Sequence, residues 1–338
     1  MVSANLRKLL SVPDDYSILF TQGGGTTQFS STLLNLLSYH RLKTSSSSTD
    51  FSPPKADYVV TGSWSSKAHA EAQRLCLSPI PGAPPLAEPR IAASSKSSKS
   101  SRYTTLPRHD EYSFSEDAAF VYYCENETIN GIEFPLDQTS PYAFPFDKVP
   151  SYVPIVADYS SSFISRPIPN LSRHAVIYAG AQKNLGPSGV TVIIIRNEFL
   201  VDTTAAAKLG YVPAVPIALE YKTLADNASL YNTPPVFAIY VSALVLEYLI
   251  AEKGGISGLE ETNREKARIL YETLDEAESR QVVQCVVREK ETRSWMNVTF
   301  EVVGEGKEKA FLDGAEKKGF RQLKGHRSIG GELSSLEG

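Results

Sequence analysis

Cysteine is scarce in this chain of 338 residues. There are three, Cys76, Cys124 and Cys285, and they lie far apart. None belongs to a Cys-x-x-Cys pair or to a cysteine and histidine set with the spacing of zinc ligands. Neither a disulfide framework nor a metal site is therefore indicated, and a reducing compartment is the simpler interpretation.

The chain also lacks an excess of charge of either sign. It has 34 Lys and Arg residues against 38 Asp and Glu residues, so its formal net charge at pH 7 is -4. Basic residues are scattered among acidic ones, and we expect no nucleic acid as a partner. With 42% hydrophobic and 21% charged residues, the composition is typical of soluble globular proteins.

Long apolar runs are missing as well. The most apolar stretch, 236–251, contains Glu247 and is shorter than the ~20 apolar residues that a membrane-spanning helix needs. It predicts a buried helix instead. The first 16 residues have no continuous apolar core of a secretory signal, and Asp14 and Asp15 come too early for a typical transit peptide. We expect a cytoplasmic protein without a membrane partner.

What the sequence does contain is a recurring alternation of β-prone runs with loops and helical segments. The runs are YSILF, ADYVVTG, AAFVYYC, SYVPIVADY, HAVIYAG and GVTVIIIRN. VTVIIIR is apolar at consecutive positions, as in a strand that is buried on both faces. The pattern predicts an α/β fold with a mainly parallel sheet and helices on both faces.

The composition changes after residue 254, where a charged helical segment precedes the β-prone runs VVQCVVRE and WMNVTFEVV. We predict a large domain over residues 1–254 and a smaller α+β domain over residues 255–338. Within the large domain, the stretches 43–56 and 78–109 are rich in serine, proline and lysine. They predict flexible surface insertions.

Two charged residues follow apolar runs at places where they could meet in one cleft. Asp158 ends SYVPIVAD, and Lys183 lies in the polar turn of YAGAQKNLGPSG. A lysine amine can hold the aldehyde of pyridoxal phosphate, and a carboxylate beside the pyridine nitrogen keeps the ring protonated. Each residue alone has an ordinary interpretation, a helix cap for Asp158 and a solvated loop residue for Lys183. The pair by itself indicates a cofactor-binding α/β enzyme.

The loop QGGGTTQF, residues 22–29, connects a predicted strand to a predicted helix. Free amides and the helix dipole favour a phosphate group at such a place. The loop has no Gly-Lys-Ser/Thr ending of a P-loop, and Gln28 stands where the dinucleotide pattern has its third glycine. A tight turn explains the loop at least as well, so both interpretations stay open.

Trp64 and Thr128 each follow a predicted strand. The flat indole of Trp64 could stack on a pyridine ring, and it could equally belong to the core. The hydroxyl of Thr128 could bond to the phenolic oxygen of the cofactor, although loop threonines usually cap turns.

Two further pairs have similar alternatives. His326 and Arg327 lie between glycines in LKGHRSIGG, where the arginine fork could bind a substrate carboxylate or be an ordinary surface cation. Asn232 and Thr233 precede a helix that begins with proline, for which capping is the plain explanation.

Eight motifs in a fixed order resemble the phosphoserine aminotransferases, which are fold-type I pyridoxal-phosphate enzymes. The motifs are LFTQGGGTTQF, VVTGSWSSKAHAEAQR, VYYCENETINGIEF, VADYSSSFISRPI, VIYAGAQKNLGPSGVTVIIIR, SLYNTPPVFAIY, RSWMNVTF and LKGHRSIGG. They span nearly the whole chain between Leu19 and Gly331, apart from the two serine-rich stretches. The resemblance implies a pyridoxal-phosphate aminotransferase that forms a homodimer with shared active sites.

The resemblance also implies a role for each matching residue. Lys183 binds the cofactor as a Schiff base and shuttles a proton, and Asp158 pairs with the pyridinium nitrogen. For the cofactor, the resemblance implies ring stacking by Trp64, phosphate binding by Gly25, Thr26 and Gln182, and a hydrogen bond from Thr128 to the phenolic oxygen. Asn232 and Thr233 would contact the cofactor phosphate in the neighbouring subunit. His326 and Arg327 would bind the acidic groups of the substrate.

The implied reaction moves the amino group of glutamate to 3-phosphohydroxypyruvate in a ping-pong sequence, giving 2-oxoglutarate and O-phospho-L-serine for serine biosynthesis. Members of the family normally carry an N-terminal segment with an Asn-Ala-Gly-Pro element and a His-Arg pair that helps to bind the substrate phosphate. They also continue after the last glycine pair into an Arg-Ala-Ser-x-Tyr-Asn stretch. The sequence shows neither segment, so we expect a complete cofactor set with weakened affinity for the phosphorylated keto acid.

Two alternatives stay open. One is a related transaminase that acts on another amino acid, and the other is an inactive remnant that binds pyridoxal phosphate and dimerises.

Overall fold

The computed structural model describes residues 1–44, 52–78, 82, 84–96, 102–325 and 332–335. The strands in these residues are β1 (Tyr16–Thr21), β2 (Lys55–Val60), β3 (Glu88–Ser94), β4 (Phe120–Cys124), β5 (Asn126–Glu127), β6 (Ile132–Glu133), β7 (Ile155–Asp158), β8 (His174–Gly180), β9 (Thr191–Arg196), β10 (Val283–Cys285), β11 (Asn297–Val302) and β12 (Glu332–Ser335). The α-helices are α1 (Val2–Leu10), α2 (Gly24–Thr44), α3 (Ser63–Cys76), α4 (Thr203–Lys208), α5 (Tyr221–Asp226), α6 (Val236–Glu252), α7 (Gly255–Ser279) and α8 (Lys307–Lys317).

Seven strands form the main sheet, in the spatial order β1-β9-β8-β7-β4-β2-β3. The neighbours from β8 to β3 run parallel to one another, and β9 lies antiparallel between β8 and β1. β1 therefore points the same way as the parallel strands. The carboxyl ends of six strands and the start of β9 consequently meet at one edge. The prediction of a mainly parallel sheet is confirmed.

The sheet is covered on both faces at its centre. All seven residues of β8 and all five residues of β4 are buried, so neither alternating set of side chains faces solvent. α2 packs against β8, and α3 packs against β2, β3 and β4. The polar loops at the strand ends are thereby held on a rigid core.

β3 corrects one prediction. It lies inside the stretch 78–109 that predicts a flexible insertion, yet it pairs with β2 in parallel. Arg90 of β3 donates to the fully buried Asp57 of β2, with 2.9 Å between Nε and Oδ1. Serine and proline in the flanking residues conceal the short strand in the sequence. Most of the serine-rich positions of the two stretches, 45–51 and 97–101, lie outside the described residues.

The C-terminal part forms its own small packing unit. β10, β11 and β12 make an antiparallel sheet, and α7 packs against β10 and β11. Between them lies a separate apolar cluster of Leu274, Val283, Cys285, Val298 and Phe300. The cluster supports the proposed smaller domain, whose boundary at residue 255 stays a prediction.

Only one face of α6 is buried, which limits the prediction of a buried helix. Ala238, Ser242 and Leu246 are buried, whereas Phe237 is 75% exposed and Tyr240 is 59% exposed. The core of this chain therefore explains the apolar residues on the buried face of α6 but not those on the exposed face. Within the described residues, no helix is long and apolar enough to cross a membrane.

Candidate active site

A cavity of about 490 Å³ opens at the edge of the sheet where the strand ends meet. Its walls come from the segments after β1, β2, β4, β7 and β8 and from the segment before β9. The structure brings these residues together around it: Gly23, Gly24, Gly25, Thr26, Trp64, Cys124, Asn126, Thr128, Asp158, Ser160, Ser161, Gln182, Lys183, Ser188 and Gly189. The set includes both candidate catalytic residues, which are also candidate cofactor ligands, and five further candidate cofactor ligands.

One wall is the first turn of α2. Gly23 and Gly24 have φ angles of +97° and +64°, a conformation that glycine adopts without strain. The Gly24 amide donates to the hydroxyl of Thr191 on β9 at 2.9 Å, which fixes the loop to the sheet. Gly25 and Thr26 follow in the first turn of this 21-residue helix, where amides have no acceptor within the helix. The turn fits an anionic group such as a phosphate.

Asp158 ends β7 on the floor of the cavity and is 5% exposed. Burial raises the pKa of its carboxyl group, and hydrogen bonds from Ser160 and Tyr178 partly offset that effect. The Ser160 amide donates to Oδ1 at 2.8 Å, and the Tyr178 hydroxyl lies 3.0 Å from that of Tyr122. The ionised carboxylate is thus less favoured here than in water, and a cation bound beside it in the cavity would favour the ionised form again.

Lys183 lies on the turn between the antiparallel strands β8 and β9. The Ala181 amide donates to the Val190 carbonyl at 3.0 Å, and the Gly186 amide donates to the Ala181 carbonyl at 2.8 Å. These bonds close the turn, and Lys183 is half-buried beside the cavity. Lys183 and Asp158 therefore line one cavity from neighbouring strands, as the strand ends predict.

Trp64 and Thr128 form further parts of the wall. Trp64 lies in the first turn of α3 and is half-buried, with the Lys67 ammonium 4.2 Å from the centroid of its indole. Thr128 follows β5 and is half-buried. An aromatic surface and a hydroxyl are thus available to a flat, polar ring.

Sequence reasoning missed Ser160, which joins three walls of the cavity. Its amide donates to Asp158, and its hydroxyl accepts from the Gly180 amide at 3.1 Å. A side chain at Gly25 would place its Cβ 3.4 Å from the Ser160 hydroxyl and from Asp158 Oδ2. The signal that could have identified Ser160 is its place two residues after the strand-ending carboxylate.

The remaining candidates lie elsewhere. Asn232 and Thr233 are exposed and do not line this cavity, although Gln22 Nε2 donates to the Thr233 carbonyl at 3.4 Å beside it. Asn232 lines a neighbouring cavity of about 330 Å³. His326 and Arg327 lie outside the described residues.

The donor set fits pyridoxal phosphate. The cavity volume falls in the range of small-molecule sites, ~300–1,000 Å³. Its walls offer helix amides for a phosphate, an indole for a ring, an amine for an aldehyde and a buried carboxylate for a ring cation. The absence of a Cβ at Gly25 keeps the space above Asp158 and Ser160 clear.

Comparison with known proteins gives the same result. The family model "Aminotransferase class-V" matches residues 97–329. "Phosphoserine aminotransferase 2, chloroplastic" of Arabidopsis thaliana is 41% identical over 98% of this chain and 68% of its own length. Phosphoserine aminotransferase of Pseudomonas aeruginosa PAO1 is 40% identical over 98% of this chain and 78% of its own length.

Solved structures agree. Phosphoserine aminotransferase of Bacillus circulans subsp. alkalophilus superposes with a TM-score of 0.79 at 37% identity, over 99% of this chain and 79% of that one. The pyridoxal-phosphate-bound phosphoserine aminotransferase of Trichomonas vaginalis has a TM-score of 0.74 at 32% identity, over 99% and 81% of the two chains. Alanine–glyoxylate aminotransferase of Nostoc, at 15% identity and a TM-score of 0.67 over 100% and 80% of the two chains, shares the fold.

Proposed function

Because the chain belongs to the phosphoserine aminotransferase family of class-V aminotransferases, we infer that it catalyses phosphoserine transamination in serine biosynthesis, with pyridoxal phosphate as its cofactor. The observation that carries this function is the convergence of Lys183, Asp158 and the first turn of α2 on one cavity. We propose glutamate as the amino donor and 3-phosphohydroxypyruvate as the acceptor.

When bound, pyridoxal phosphate supplies an electron sink that stabilises a carbanion at the α-carbon of an amino acid. The Lys183 amine would hold the aldehyde of the cofactor. As general base, the Lys183 amine would take the proton from the α-carbon of the substrate, and it would return a proton during the second half-reaction. Lys183 is therefore proposed as both anchor and general base.

The other lining residues would bind and orient the cofactor. Asp158 would hold the ring nitrogen in its protonated form, since a cation restores the charge of this buried carboxylate. The indole of Trp64 would stack on the ring. The remaining proposed contacts are those of Gly25, Thr26 and Gln182 with the phosphate and of Thr128 with the phenolic oxygen. His326 and Arg327 are proposed, on the resemblance, to bind the acidic groups of the substrate.

The spectrum of the bound cofactor tests this function. Glutamate should bleach the visible band of the purified holoprotein, and 3-phosphohydroxypyruvate should restore it, because the two half-reactions remove and return the lysine-bound form. Glyoxylate and pyruvate serve as control acceptors. A band that glutamate cannot bleach would instead support the inactive remnant. Faster recovery of the band with a control acceptor would support the related transaminase. The alanine–glyoxylate aminotransferase of Nostoc, an example of such an enzyme, shares only its fold with this chain.

The apolar face of α6 supports the proposed homodimer. Its exposed members are Val236, Phe237, Tyr240, Leu244 and Tyr248. Four of them recur at every fourth position and so lie along one side of the helix, and exposed apolar patches mark interaction sites. The face continues from Asn232 and Thr233, which the resemblance assigns to the cofactor phosphate of the neighbouring subunit. A second copy of this chain is therefore the proposed occupant.

Charges on this face should separate the subunits. We expect Phe237→Glu combined with Tyr240→Glu to convert a dimer into a monomer in sedimentation velocity, because two buried carboxylates would have no partner. Leu77→Glu, at an exposed leucine after α3, should leave the dimer intact. The proposal is wrong if the parent protein sediments as a monomer at micromolar concentration, or if the double variant remains dimeric.

The three cysteines are free and buried. A reducing compartment stays a prediction. A cytoplasmic location stays a prediction.

A further inference from the structure

Glu127 is a fully buried carboxylate that has no part in the proposed reaction. It is the last residue of β5 and directly precedes Thr128 of the cavity wall. Its two oxygens accept hydrogen bonds from the backbone amides of Trp64 and Ser65, each at 2.8 Å, and from the Ser65 hydroxyl. One side chain thus connects the wall that carries the indole with the wall that carries the threonine.

The rest of this loop completes the connection. The side-chain oxygen of Asn130 accepts from the Ser63 amide at 2.9 Å. The carbonyl of Glu127 in turn accepts from the amides of Asn130 and Gly131, at 3.0 and 2.8 Å. Three consecutive amides at the start of α3 therefore find their acceptors in the loop that contains Thr128. Such amides have no partners within their own helix, and a carboxylate is favoured there by the helix dipole.

Gly62 provides the space for this carboxylate. A Cβ at position 62 would lie 2.4 Å from Cδ of Glu127. The φ angle of Gly62 is -171°, an extended conformation that any residue adopts, so the glycine is needed for space and not for its backbone. A methyl group at this position would push the carboxylate away without removing its charge.

The ionised form of Glu127 is disfavoured at this buried position. Burial raises its pKa to about 7, against the effect of the hydrogen bonds from Ser65 and Trp64. A serine or aspartate at the helix start could cap α3 from an exposed position without that penalty. The chain instead caps the helix with a buried carboxylate from another loop, directly before Thr128.

We propose that Glu127 is a positioning residue, which fixes the Trp64 indole relative to Thr128 and thereby sets the shape of the site for the cofactor ring. The inference rests on the proposed cofactor roles of Trp64 and Thr128. It predicts that a change at Glu127 acts on the geometry of cofactor binding and not only on folding.

Glu127→Gln tests the proposal, because the amide keeps the size but presents an NH₂ group to one of the two helix amides. The dissociation constant of pyridoxal phosphate is measured by titration of the apoprotein. The circular dichroism of the bound cofactor and the quenching of Trp64 fluorescence are measured in the Trp295→Phe background, since the chain has 2 tryptophans. We expect the dissociation constant to rise about tenfold or more, with weaker quenching and altered dichroism.

Glu133→Gln is the matched control. Glu133 is buried on β6, burial raises its pKa, and it accepts from the Trp295 amide at 2.7 Å, but Trp295, unlike Trp64, does not line the candidate active-site cavity. Its substitution should lower stability and leave the dissociation constant within about twofold of the parent value. Equal losses of cofactor affinity in both variants would overturn the proposal.

Gly62→Ala decides the question if Glu127→Gln does not fold. The methyl group should displace the carboxylate and produce the same changes in affinity, quenching and dichroism. A Gly62→Ala holoprotein that matches the parent in all three would overturn the positioning role. A parent protein that does not bind pyridoxal phosphate would contradict the proposed function itself, so the two failures are distinguishable.

Discussion

Replacing Lys183 by alanine should lower the rate of transamination by on the order of 10⁴-fold, the upper end of the range for removing a general base. Among the described residues that line the cavity, Lys183 is the one with an amine. Its loss therefore removes both the proposed anchor for the aldehyde and the proposed carrier of the α-proton. The phosphate and ring contacts remain, so the variant should still bind the cofactor, although more weakly.

Two measurements check this result. The absorption spectrum should show the free aldehyde of the cofactor instead of the lysine-bound form, and single-turnover bleaching by glutamate should be slow. Lys208→Ala, at an exposed lysine that ends α4, should behave as the parent does. A Lys183→Ala variant with more than about a hundredth of the parent rate would contradict the assignment, since removing the base should cost ~10²-fold or more.

Asp158→Asn should lower the turnover number by about 10²–10³-fold, the scale for removing one group that stabilises developing charge. The amide has nearly the shape of the carboxylate but carries no charge to hold the proton on the ring nitrogen. The variant should bind the cofactor with little change in the position of its ring. Steady-state kinetics and the pH dependence of the cofactor spectrum should show that loss.

The same substitution should have the opposite effect on the stability of the apoprotein. The folded state raises the pKa of Asp158, so the stability that this carboxyl contributes is present below its unfolded pKa and is lost as the pH rises through the folded pKa. At about pH 8 the ionised group is therefore unfavourable in the folded apoprotein, and asparagine avoids that cost. Asp158→Asn apoprotein should be at least as stable as the parent there, with a smaller difference in acid.

Urea unfolding of the apoproteins at several pH values measures the difference. Asp57→Asn is the control, because Asp57 is equally buried but is paired with Arg90 at 2.9 Å. It should lose stability and keep its turnover number. An Asp158→Asn apoprotein that is clearly less stable than the parent at about pH 8 would contradict this prediction. It would show that the carboxylate stabilises the fold without the protonated ring of the cofactor.

The sequence predicted the sheet well because its strands are apolar runs that end in polar loops. In a parallel sheet such ends meet at one edge, so Asp158 and Lys183 could be expected together although 25 positions separate them. β3 was hidden, since proline and serine dominate its surroundings and its own sequence, EPRIAAS, has a proline and no long apolar run. The amino-acid composition describes a whole segment on average, so it does not identify the few residues in that segment that pair with a neighbouring strand.

The contact between Glu127 and the start of α3 could not be predicted from the sequence. Gly62 and Glu127 are far apart in the chain, and each has an ordinary local explanation, as a turn glycine and as a loop carboxylate. Their relation depends on the pairing of β2 with β4, which places the two loops side by side. Ser160 escaped notice for a similar reason, because its hydroxyl accepts from a strand that comes later in the chain.

The apolar residues of α6 show a different limit. A helix that is apolar all round is predicted to be buried, but the pattern does not say by what. In the structure one face packs on the core and the other remains exposed. Only the three-dimensional structure shows that Phe237 and Tyr240 are exposed, where the proposed dimer would cover them.

The closed turn between β8 and β9 bears on the speed of the reaction. The bond between Ala181 and Val190 ties one end of the turn to the sheet, and the side-chain amide of Asn184 donates to the Phe163 carbonyl at 3.1 Å. The backbone next to Lys183 is thus held on both sides. Movement of the amine between its two proposed tasks falls to rotation about the bonds of its side chain and not to opening of a loop, which takes far longer. Repositioning of the lysine should therefore never limit turnover.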